Sequence, residues 1–244
     1  MTPAAVSILM PVYNGQERGK EHFLRAAIES VLDQTYENFE FVIVNDGSTD
    51  ETARVLNEYA ANDSRIKIIT NPTNMRIAKA LNIGLDHCSA SLVARQDADD
   101  MSAATRLEIQ LDFLANRPET ALCGTGMYVI DAENRLLMEI YHPCNYVVVR
   151  QALKSGCPIV HGSVMFKKDV VKGLGGYAST PDVEIAEDFD LWVRMAAAGH
   201  VIENIPDKIL YYHRNHASKS SSVHADRQAA STANVARKAT RLIR

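Results

Sequence analysis

The chain has 244 residues, 46% hydrophobic and 23% charged, a composition typical of globular proteins that bury a sizeable core. A formal net charge of -4 excludes a generally basic nucleic-acid surface, and an aromatic content of 7% argues against a stacking surface for single strands. No stretch approaches the roughly 20 apolar residues that span a bilayer, and residues 1–5 lack the features of a signal peptide.

The cysteines give no sign of a disulfide framework or a zinc site. Cys88, Cys123, Cys144 and Cys157 form no CxxC pair, and no histidine stands at zinc-ligand spacing from them. Disulfides are rare in reducing compartments. We therefore expect reduced thiols in a cytoplasmic protein.

The first hundred residues alternate short apolar runs with helical patterns. Such an order of strands and helices predicts a mainly parallel sheet with right-handed crossovers, and hence an α/β fold. Strands are predicted at 6–10 (ended by Pro11), 39–44, 66–69 and 92–94, and helices at 21–32, about 50–61 and 77–85.

The second half of the chain is less regular. Its last stretch, residues 222–244, has a helical pattern that is rich in Arg and Ala. Other helices are predicted at 104–116, 146–154 and 186–198, and strands at 120–130, 135–140, 201–202 and 209–212, with a loop from 157 that leads into a strand near 166.

Polar clusters follow three of the predicted strands, at 13–14, 45–48 and 97–100. Ligands of parallel α/β sheets bind beyond the carboxyl ends of the strands. Aspartates at positions i and i+2 after a strand can present oxygens to Mg²⁺ or Mn²⁺, although a solvated turn that caps the next helix has the same composition. The absence of a GxGxxG or a Walker sequence disfavours dinucleotide dehydrogenases and P-loop enzymes.

Four stretches carry residues of this kind: 6–15 (VSILMPVYNG), 41–52 (FVIVNDGSTDET), 95–100 (RQDADD) and 187–192 (EDFDLW). Together they resemble the family 2 glycosyltransferases of the GT-A type, in that family's order and spacing. The resemblance extends over about residues 6–220 and implies one Rossmann-like GT-A domain with a mainly parallel mixed sheet flanked by helices. It implies a nucleotide-binding half, 1–100, an acceptor-binding half, 101–220, and a C-terminal basic helix, 221–244.

The resemblance implies donor-binding roles for residues of the first half. Pro11, Tyr13 and Asn14 match the segment that packs on the donor nucleoside, and Asp46 matches the carboxylate that accepts a hydrogen bond from the base imide, which favours uridine or thymidine. Arg76 stands where it could reach the base or the diphosphate. The alternatives are a tyrosine that fills the end of the sheet, a turn aspartate and a solvated arginine at a helix start.

Asp97 and Asp99 match the DxD motif of the family. The resemblance implies that Asp99 contacts Mn²⁺ or Mg²⁺ directly, and that Asp97 supports the donor ribose or the metal. Asp100 is expected to cap the following helix. His216 matches a third metal ligand or diphosphate contact, although the glycine usual near it is absent. A cation at this site stabilises the charge that develops on a leaving diphosphate.

Glu187 and Asp188 match the ED motif of the family, which implies that Asp188 is the general base of an inverting displacement. The alternative is that both acids only favour the start of a helix. The resemblance implies acceptor contacts for Glu187 and His161, the latter in the same loop as Ser163. Trp192 is expected in the core or on the floor of the acceptor site.

These expectations describe an inverting transferase that moves a sugar from a nucleotide-diphosphate donor, favouring UDP, to an acceptor hydroxyl of a surface polysaccharide or a lipid-linked oligosaccharide. The C-terminal helix could touch the inner face of the plasma membrane, form a homodimer contact or pack through its Ala face. A nucleotidyltransferase should show a basic, glycine-rich loop after the first strand, which residues 11–15 lack. A non-catalytic nucleotide-sugar-binding module should lack Asp99 or Asp188.

Overall fold

The computed structural model describes residues 4–16, 21–214 and 225–243. The strands are β1 (Val6–Val12), β2 (Phe39–Asn45), β3 (Ile66–Thr70), β4 (Leu92–Arg95), β5 (Met101–Ser102), β6 (Thr120–Ile130), β7 (Leu136–Ile140), β8 (Met165–Lys167) and β9 (Val201–Arg214). The helices are α1 (Glu21–Leu32), α2 (Thr52–Asn62), α3 (Ile77–His87), α4 (Arg106–Ala115), α5 (Tyr146–Ala152), α6 (Lys168–Gly173), α7 (Glu187–Ala197) and α8 (Ala225–Leu242).

The strands form one mixed sheet in the order β3-β2-β1-β4-β8-β6-β9-β5, with β7 paired to β6 beside this path. The first four strands are parallel, as the alternating pattern predicts, and β1 lies between β2 and β4. Successive residues of β1 enter different cores: Leu9 packs with α3 on one face, and Ile8 packs with α1 on the other. The carboxyl ends of β1, β2 and β4 therefore meet at one edge.

Some predicted boundaries are wrong. Pro11 does not end β1, which continues to Val12, and the main chain of Asp46 donates to the Val12 carbonyl 2.8 Å away. The two predicted closing strands are one strand, β9, because Asp207 adopts a positive φ of 53° inside it and the pairing with β6 shifts register there. Helix α6 and the short strand β5 were not predicted.

The C-terminal helix is part of the main core. Val235, Ala239 and Ile243 are buried in the cluster that holds the helix α7. The ammonium of Lys238 lies 2.5 Å from the carboxylate of Asp190, which is fully buried on α7. The apolar face of α8 is thus covered by α7 rather than open to lipid. Within the described ranges, no helix is long and apolar enough to cross a membrane.

Candidate active site

The loops after β1 and β2 are joined by Asn14. Its main-chain N–H donates to the hydroxyl of Ser48, 3.0 Å away, and its side-chain oxygen accepts from the N–H of Thr49 at 2.9 Å. Asn14 adopts a positive φ of 50°, which asparagine tolerates. Beside it, Tyr13 is 48% exposed, so its ring does not fill the end of the sheet and faces solvent at this edge.

Asp46 is buried and holds the segment that precedes α3. Its Oδ1 accepts hydrogen bonds from Asn71 Nδ2 at 2.7 Å and from the Met75 N–H at 3.0 Å. The next residue, Gly47, has a φ of 71°, and a Cβ there would lie 2.4 Å from the main chain of Thr73. The predicted contact of Asp46 with the donor base would therefore be made by a carboxylate that also holds this loop in place.

Arg76 also begins α3 with a positive φ of 68°. Its guanidinium pairs with Glu184, in the loop that precedes α7. Arg227 of α8 lies 2.9 Å from the other oxygen of the same carboxylate. Arg76 therefore links the nucleotide-binding half to the second half of the chain through Glu184, although its side chain is 67% exposed.

The DxD segment is organised by two groups that the sequence did not single out. Arg95, at the end of β4, is 1% exposed, and its Nη1 lies 2.5 Å from Asp97 Oδ1. The hydroxyl of Tyr211, on β9, is shared between Asp97 Oδ2 and Asp100 Oδ2, at 2.9 Å from each. A Cβ at Gly162 would lie 1.9 Å from that hydroxyl, so only glycine allows this approach.

The expectation that Asp100 caps the next helix is wrong. Asp100 is buried and accepts the main-chain N–H of Arg214 at 2.7 Å, and its carboxylate lies 3.0 Å from His213 Nδ1. The hydrogen bond with Asp100 raises the pKa of His213 to about 9, so the imidazole is charged at neutral pH. Asp100 does not cap the helix because the unpredicted strand β5 begins at the next residue, Met101. Strand β5 pairs with β9 and so brings Asp100 against β9.

Asp97 and Asp99 are the residues that fit a divalent cation. Asp99 is partly exposed, and its main-chain carbonyl is fixed by Arg214 Nε at 3.0 Å. Among the described residues, no group of three His, Cys, Asp or Glu side chains could hold a metal. Two carboxylates suit Mg²⁺ or Mn²⁺ when substrate phosphates and water complete the coordination. His216, the predicted third ligand, lies outside the described residues.

Glu187 and Asp188 form the first turn of α7. Asp188 Oδ1 accepts the N–H of Phe189 at 2.7 Å. Burial, followed by the charge of Asp188, raises the pKa of Glu187 to about 8, and burial also raises the pKa of Asp188. Arg95 lowers the pKa of both acids and Asp97 raises it, so the ED pair and the DxD segment share one electrostatic environment.

His161 lies over the buried side of this site. Its Nε2 is 3.1 Å from the hydroxyl of Tyr177, and its ring packs edge-on against Trp192 with centroids 6.0 Å apart. Burial, followed by Arg95, lowers the pKa of His161 to about 3, so the imidazole is neutral at physiological pH. It can orient a substrate by hydrogen bonding, but it is not poised to exchange protons.

Trp192 and Ser163 are structural residues. Trp192 has no exposed surface and its ring packs in the core beneath His161, which is the first of the two positions expected for it. Ser163 is also fully buried, and its hydroxyl accepts the N–H of Thr125 at 3.1 Å. Both residues fix the walls of the site.

Sequence reasoning missed Arg95, Tyr211 and Tyr177. Arg95 stands inside the RQDADD stretch, two residues before Asp97, and a charge at the end of a buried strand was a usable signal. Tyr211 was assigned only to a closing strand. No local pattern predicts its contact with Asp97, because 114 positions separate the two residues.

Solved structures of similar shape define the class of protein. PcManGT, a mannosyltransferase from Pyrobaculum calidifontis in complex with GDP-Man and Mn²⁺, matches 98% of this chain and 65% of its own with a TM-score of 0.72 and 22% identity. The S. aureus TarS fragment 1–349 in complex with UDP-GlcNAc matches 88% of this chain and 59% of its own with a TM-score of 0.69 and 18% identity. The fold is that of the GT-A glycosyltransferases.

Sequence comparison assigns the family. The model described as Glycosyl transferase family 2 matches residues 7–175. EpsE of Bacillus subtilis (strain 168), named as a glycosyltransferase, is 38% identical over 199 residues, 80% of this chain and 67% of EpsE. The O-antigen biosynthesis glycosyltransferase WbnJ of Escherichia coli is 31% identical over 229 residues, 93% of this chain and 86% of WbnJ. The chain therefore belongs to glycosyltransferase family 2 and is an enzyme of that class.

Proposed function

We propose that this glycosyltransferase moves a sugar, with inversion, from a UDP-linked donor to a hydroxyl of a carbohydrate or lipid-linked acceptor in surface polysaccharide synthesis. The observation that carries the proposal is the common environment of Asp97, Glu187 and Asp188 around the buried Arg95. The name of WbnJ supports the polysaccharide, and the complex of TarS with UDP-GlcNAc supports the UDP-linked donor.

The donor side is formed by the edge of the parallel strands. Tyr13, exposed at the end of β1, offers a ring face or edge to the nucleoside, and Pro11 shapes the strand beneath it. Asp46 would accept the imide N–H of uracil with lone pairs that Asn71 and Met75 leave open. Guanine carries a comparable imide N–H, so a GDP-linked donor is the competitor to test.

The leaving diphosphate is stabilised at the DxD segment. A divalent cation held by Asp97 and Asp99 would supply positive charge to the phosphate oxygens as the bond to the sugar breaks. Arg95 and the hydroxyl of Tyr211 fix one oxygen each of Asp97, so this carboxylate is positioned before the donor arrives. Such preorganisation reduces the reorganisation that the reaction would otherwise require.

The acceptor side needs one ionised and one neutral acid. Asp188 takes the proton of the acceptor hydroxyl while its oxygen attacks the anomeric carbon and the bond to the diphosphate breaks on the opposite face. A pKa of about 8 keeps Glu187 largely protonated at neutral pH, so it can donate a hydrogen bond to the acceptor. Burial raises the pKa of Asp188 too, so this division of roles needs the shared proton of the pair to lie on Glu187.

Replacing Asp188 with Asn tests the base. We expect transfer to fall by about a thousandfold or more while donor binding stays within roughly twofold, because the side chain keeps its shape and loses the basic oxygen. The matched control is Asp182→Asn, an exposed acid in the loop before α7. Transfer at the wild-type rate by the Asp188 variant would reject the assignment.

A thermal-shift panel tests the donor and the metal together. UDP, GDP and their sugar conjugates are added with Mn²⁺, with Mg²⁺ and with chelator. We expect UDP to raise the melting temperature only with a divalent cation, and Asp99→Asn to abolish that rise. An equal rise in chelator would remove Asp99 from a metal role, and a rise with GDP alone would reject the uridine assignment.

A further inference from the structure

Three of the nine tyrosines of the chain lie together on the second half of the sheet. Tyr128 of β6 and Tyr212 of β9 are register partners, and their rings stack with centroids 5.1 Å apart. On its other side, Tyr128 is the register partner of Glu139 on β7. The hydroxyl of Tyr141 donates to Glu139 Oε2 at 3.3 Å. We call Tyr128, Glu139, Tyr141 and Tyr212 the tyrosine platform.

The side chains of the tyrosine platform share one face of the sheet. Register partners on neighbouring strands project to the same side, and so do residues two positions apart along one strand. Tyr212, Tyr128 and Glu139 are therefore aligned across β9, β6 and β7. Tyr141 follows Glu139 by two positions and contacts it through its hydroxyl. The platform is thus one continuous surface, formed by three strands.

The platform lies on the side of β9 that faces away from the DxD segment. Tyr211, which precedes Tyr212, projects to the other side of the strand, where its hydroxyl contacts Asp97. Tyr128 and Tyr212 are partly exposed, and Tyr141 is 60% exposed. A ligand can therefore contact the platform from solvent without entering the candidate active site.

Two carboxylates give this surface its charge. Glu139 is exposed, and its charge raises the pKa of Tyr141. Asp207 is exposed at the positive-φ position inside β9, and its charge acts on the pKa of Tyr141 in the same direction. Ionised carboxylates accept hydrogen bonds and donate none. A matching ligand therefore offers donors and carries no negative charge.

We propose that the tyrosine platform binds an uncharged oligosaccharide, away from the reacting sugar. The C–H groups of a sugar ring form an apolar face, which packs on aromatic rings whose faces are electronegative. Sugar hydroxyls are donors that the carboxylate of Glu139 can accept. Tyr141 offers the most exposed ring, and the stacked pair of Tyr128 and Tyr212 extends the apolar surface across the sheet.

Other ligands fit this surface less well. Anionic lipid or nucleic acid would meet Glu139 and Asp207, whereas surfaces that stack nucleic-acid bases carry cations. A second copy of the chain in an isologous contact would bring the same carboxylates together. A cationic peptide is the main competitor, because aromatic rings and carboxylates both attract positive charge. A glycan is favoured because the chain belongs to a glycosyltransferase family.

The use of this surface in catalysis rests on the proposed carbohydrate acceptor. A sugar chain held at the platform stays close to the active site between transfers, which raises the effective concentration of its end there. The binding itself requires neither donor nor metal, so it can be measured independently of transfer.

Affinity electrophoresis of the full chain in native gels tests the proposal. The gels contain a β-glucan, a galactomannan or a xylan as neutral polymers, polygalacturonate as an anionic polymer, or no polymer. We expect at least one neutral polymer to retard the protein, with a dissociation constant that added salt leaves within roughly twofold. Tyr141→Ser should weaken this binding roughly fivefold. Glu139→Gln should weaken it about threefold, because an amide oxygen is a weaker acceptor than a carboxylate.

Met138→Ser and Glu119→Gln are the matched controls. Met138 is 54% exposed on the other face of β7, and Glu119 is exposed before the start of β6. Both variants should bind the neutral polymer within roughly twofold of the wild type, and all variants should keep its melting curve. Passage of the wild type through every neutral gel without retardation would overturn the proposal. Equal losses in the Met138 variant, or full binding by both platform variants, would do the same.

The competing ligands are examined with the same proteins. Binding of hexalysine that salt abolishes, without retardation by a neutral polymer, would assign the surface to a cationic peptide instead. Retardation by polygalacturonate alone would contradict the charge argument. A wild-type dimer in light scattering that Tyr141→Ser converts to a monomer, without glycan binding, would assign the surface to a second copy. Because no donor or metal is used, failure here leaves the proposed transfer intact, and the reverse also holds.

Discussion

Replacing Glu187 with Gln should stabilise the ligand-free protein, and more strongly at higher pH. Burial, followed by the charge of Asp188, raises the pKa of Glu187 from 4.5 to about 8. Between these values the folded protein holds a proton that the unfolded chain has released. Stability falls with rising pH wherever the folded state binds more protons, so the contribution present below the unfolded pKa is lost across this window.

The magnitude follows from the width of the window. Each pH unit within it is worth about 1.4 kcal/mol, which gives a loss of about 3 kcal/mol between about pH 5.5 and about pH 8. This is a large fraction of the roughly 5–15 kcal/mol that stabilises a typical domain. Glutamine has the shape of the neutral acid and cannot ionise, so the Glu187→Gln variant avoids this loss. Some pH dependence remains, because burial also raises the pKa of Asp188.

Urea unfolding followed by circular dichroism, in chelator and without nucleotide, measures the effect at several pH values. Glu119→Gln, the same change at an exposed site, is the matched control and should run parallel to the wild type. Stability curves of wild type and Glu187→Gln that fall equally with pH would refute the reasoning. That result would mean that Glu187 is already ionised in the folded protein and that Arg95 compensates its charge.

Two further substitutions test the scaffold of the site. Tyr211→Phe removes the hydroxyl that Asp97 and Asp100 share. It should weaken Mn²⁺-dependent binding of UDP by about tenfold, measured by calorimetry. Unchanged affinity would contradict a positioning role for Tyr211. Lys238→Met removes one of two cations from the buried Asp190 and should cost about 2 kcal/mol of unfolding free energy. Arg241→Met, exposed on the same helix, should cost about 0.5 kcal/mol or less, and equal losses would argue against the Lys238–Asp190 pair.

The first half of the fold could be predicted because its signals are local. Residues 21–32 carry an apolar stripe at helical spacing, and the structure has α1 at those residues. Strand boundaries depend on pairing instead. Pro11 has no N–H to donate, yet β1 continues because Val12 still accepts from Asp46. Asp207 resembles a strand break in sequence, but β6 holds β9 together through a change of register.

The acids of the candidate site could be named from the sequence, since the motifs fall at the end of β4 and at the start of α7. The partners of those acids were not, because they come from distant segments. Tyr211 reaches Asp97 from β9, and Gly162 leaves the space that this contact needs. A motif names the residue that carries a charge, whereas its protonation state depends on neighbours that only the fold assembles.

The protonation states of the acids in the candidate site depend on the charges around them. One buried guanidinium, Arg95, faces three carboxyls, those of Asp97, Glu187 and Asp188. Burial raises the pKa of both carboxyls of the Glu187–Asp188 pair, and Arg95, which also pairs with Asp97, does not reverse either shift, so this pair holds a proton at neutral pH. Asp97 is paired directly with Arg95, and burial gives Glu187 a pKa of about 8. Burial raises the pKa of Asp188 as well, so the proposed base role of Asp188 requires that the proton of this pair lies on Glu187.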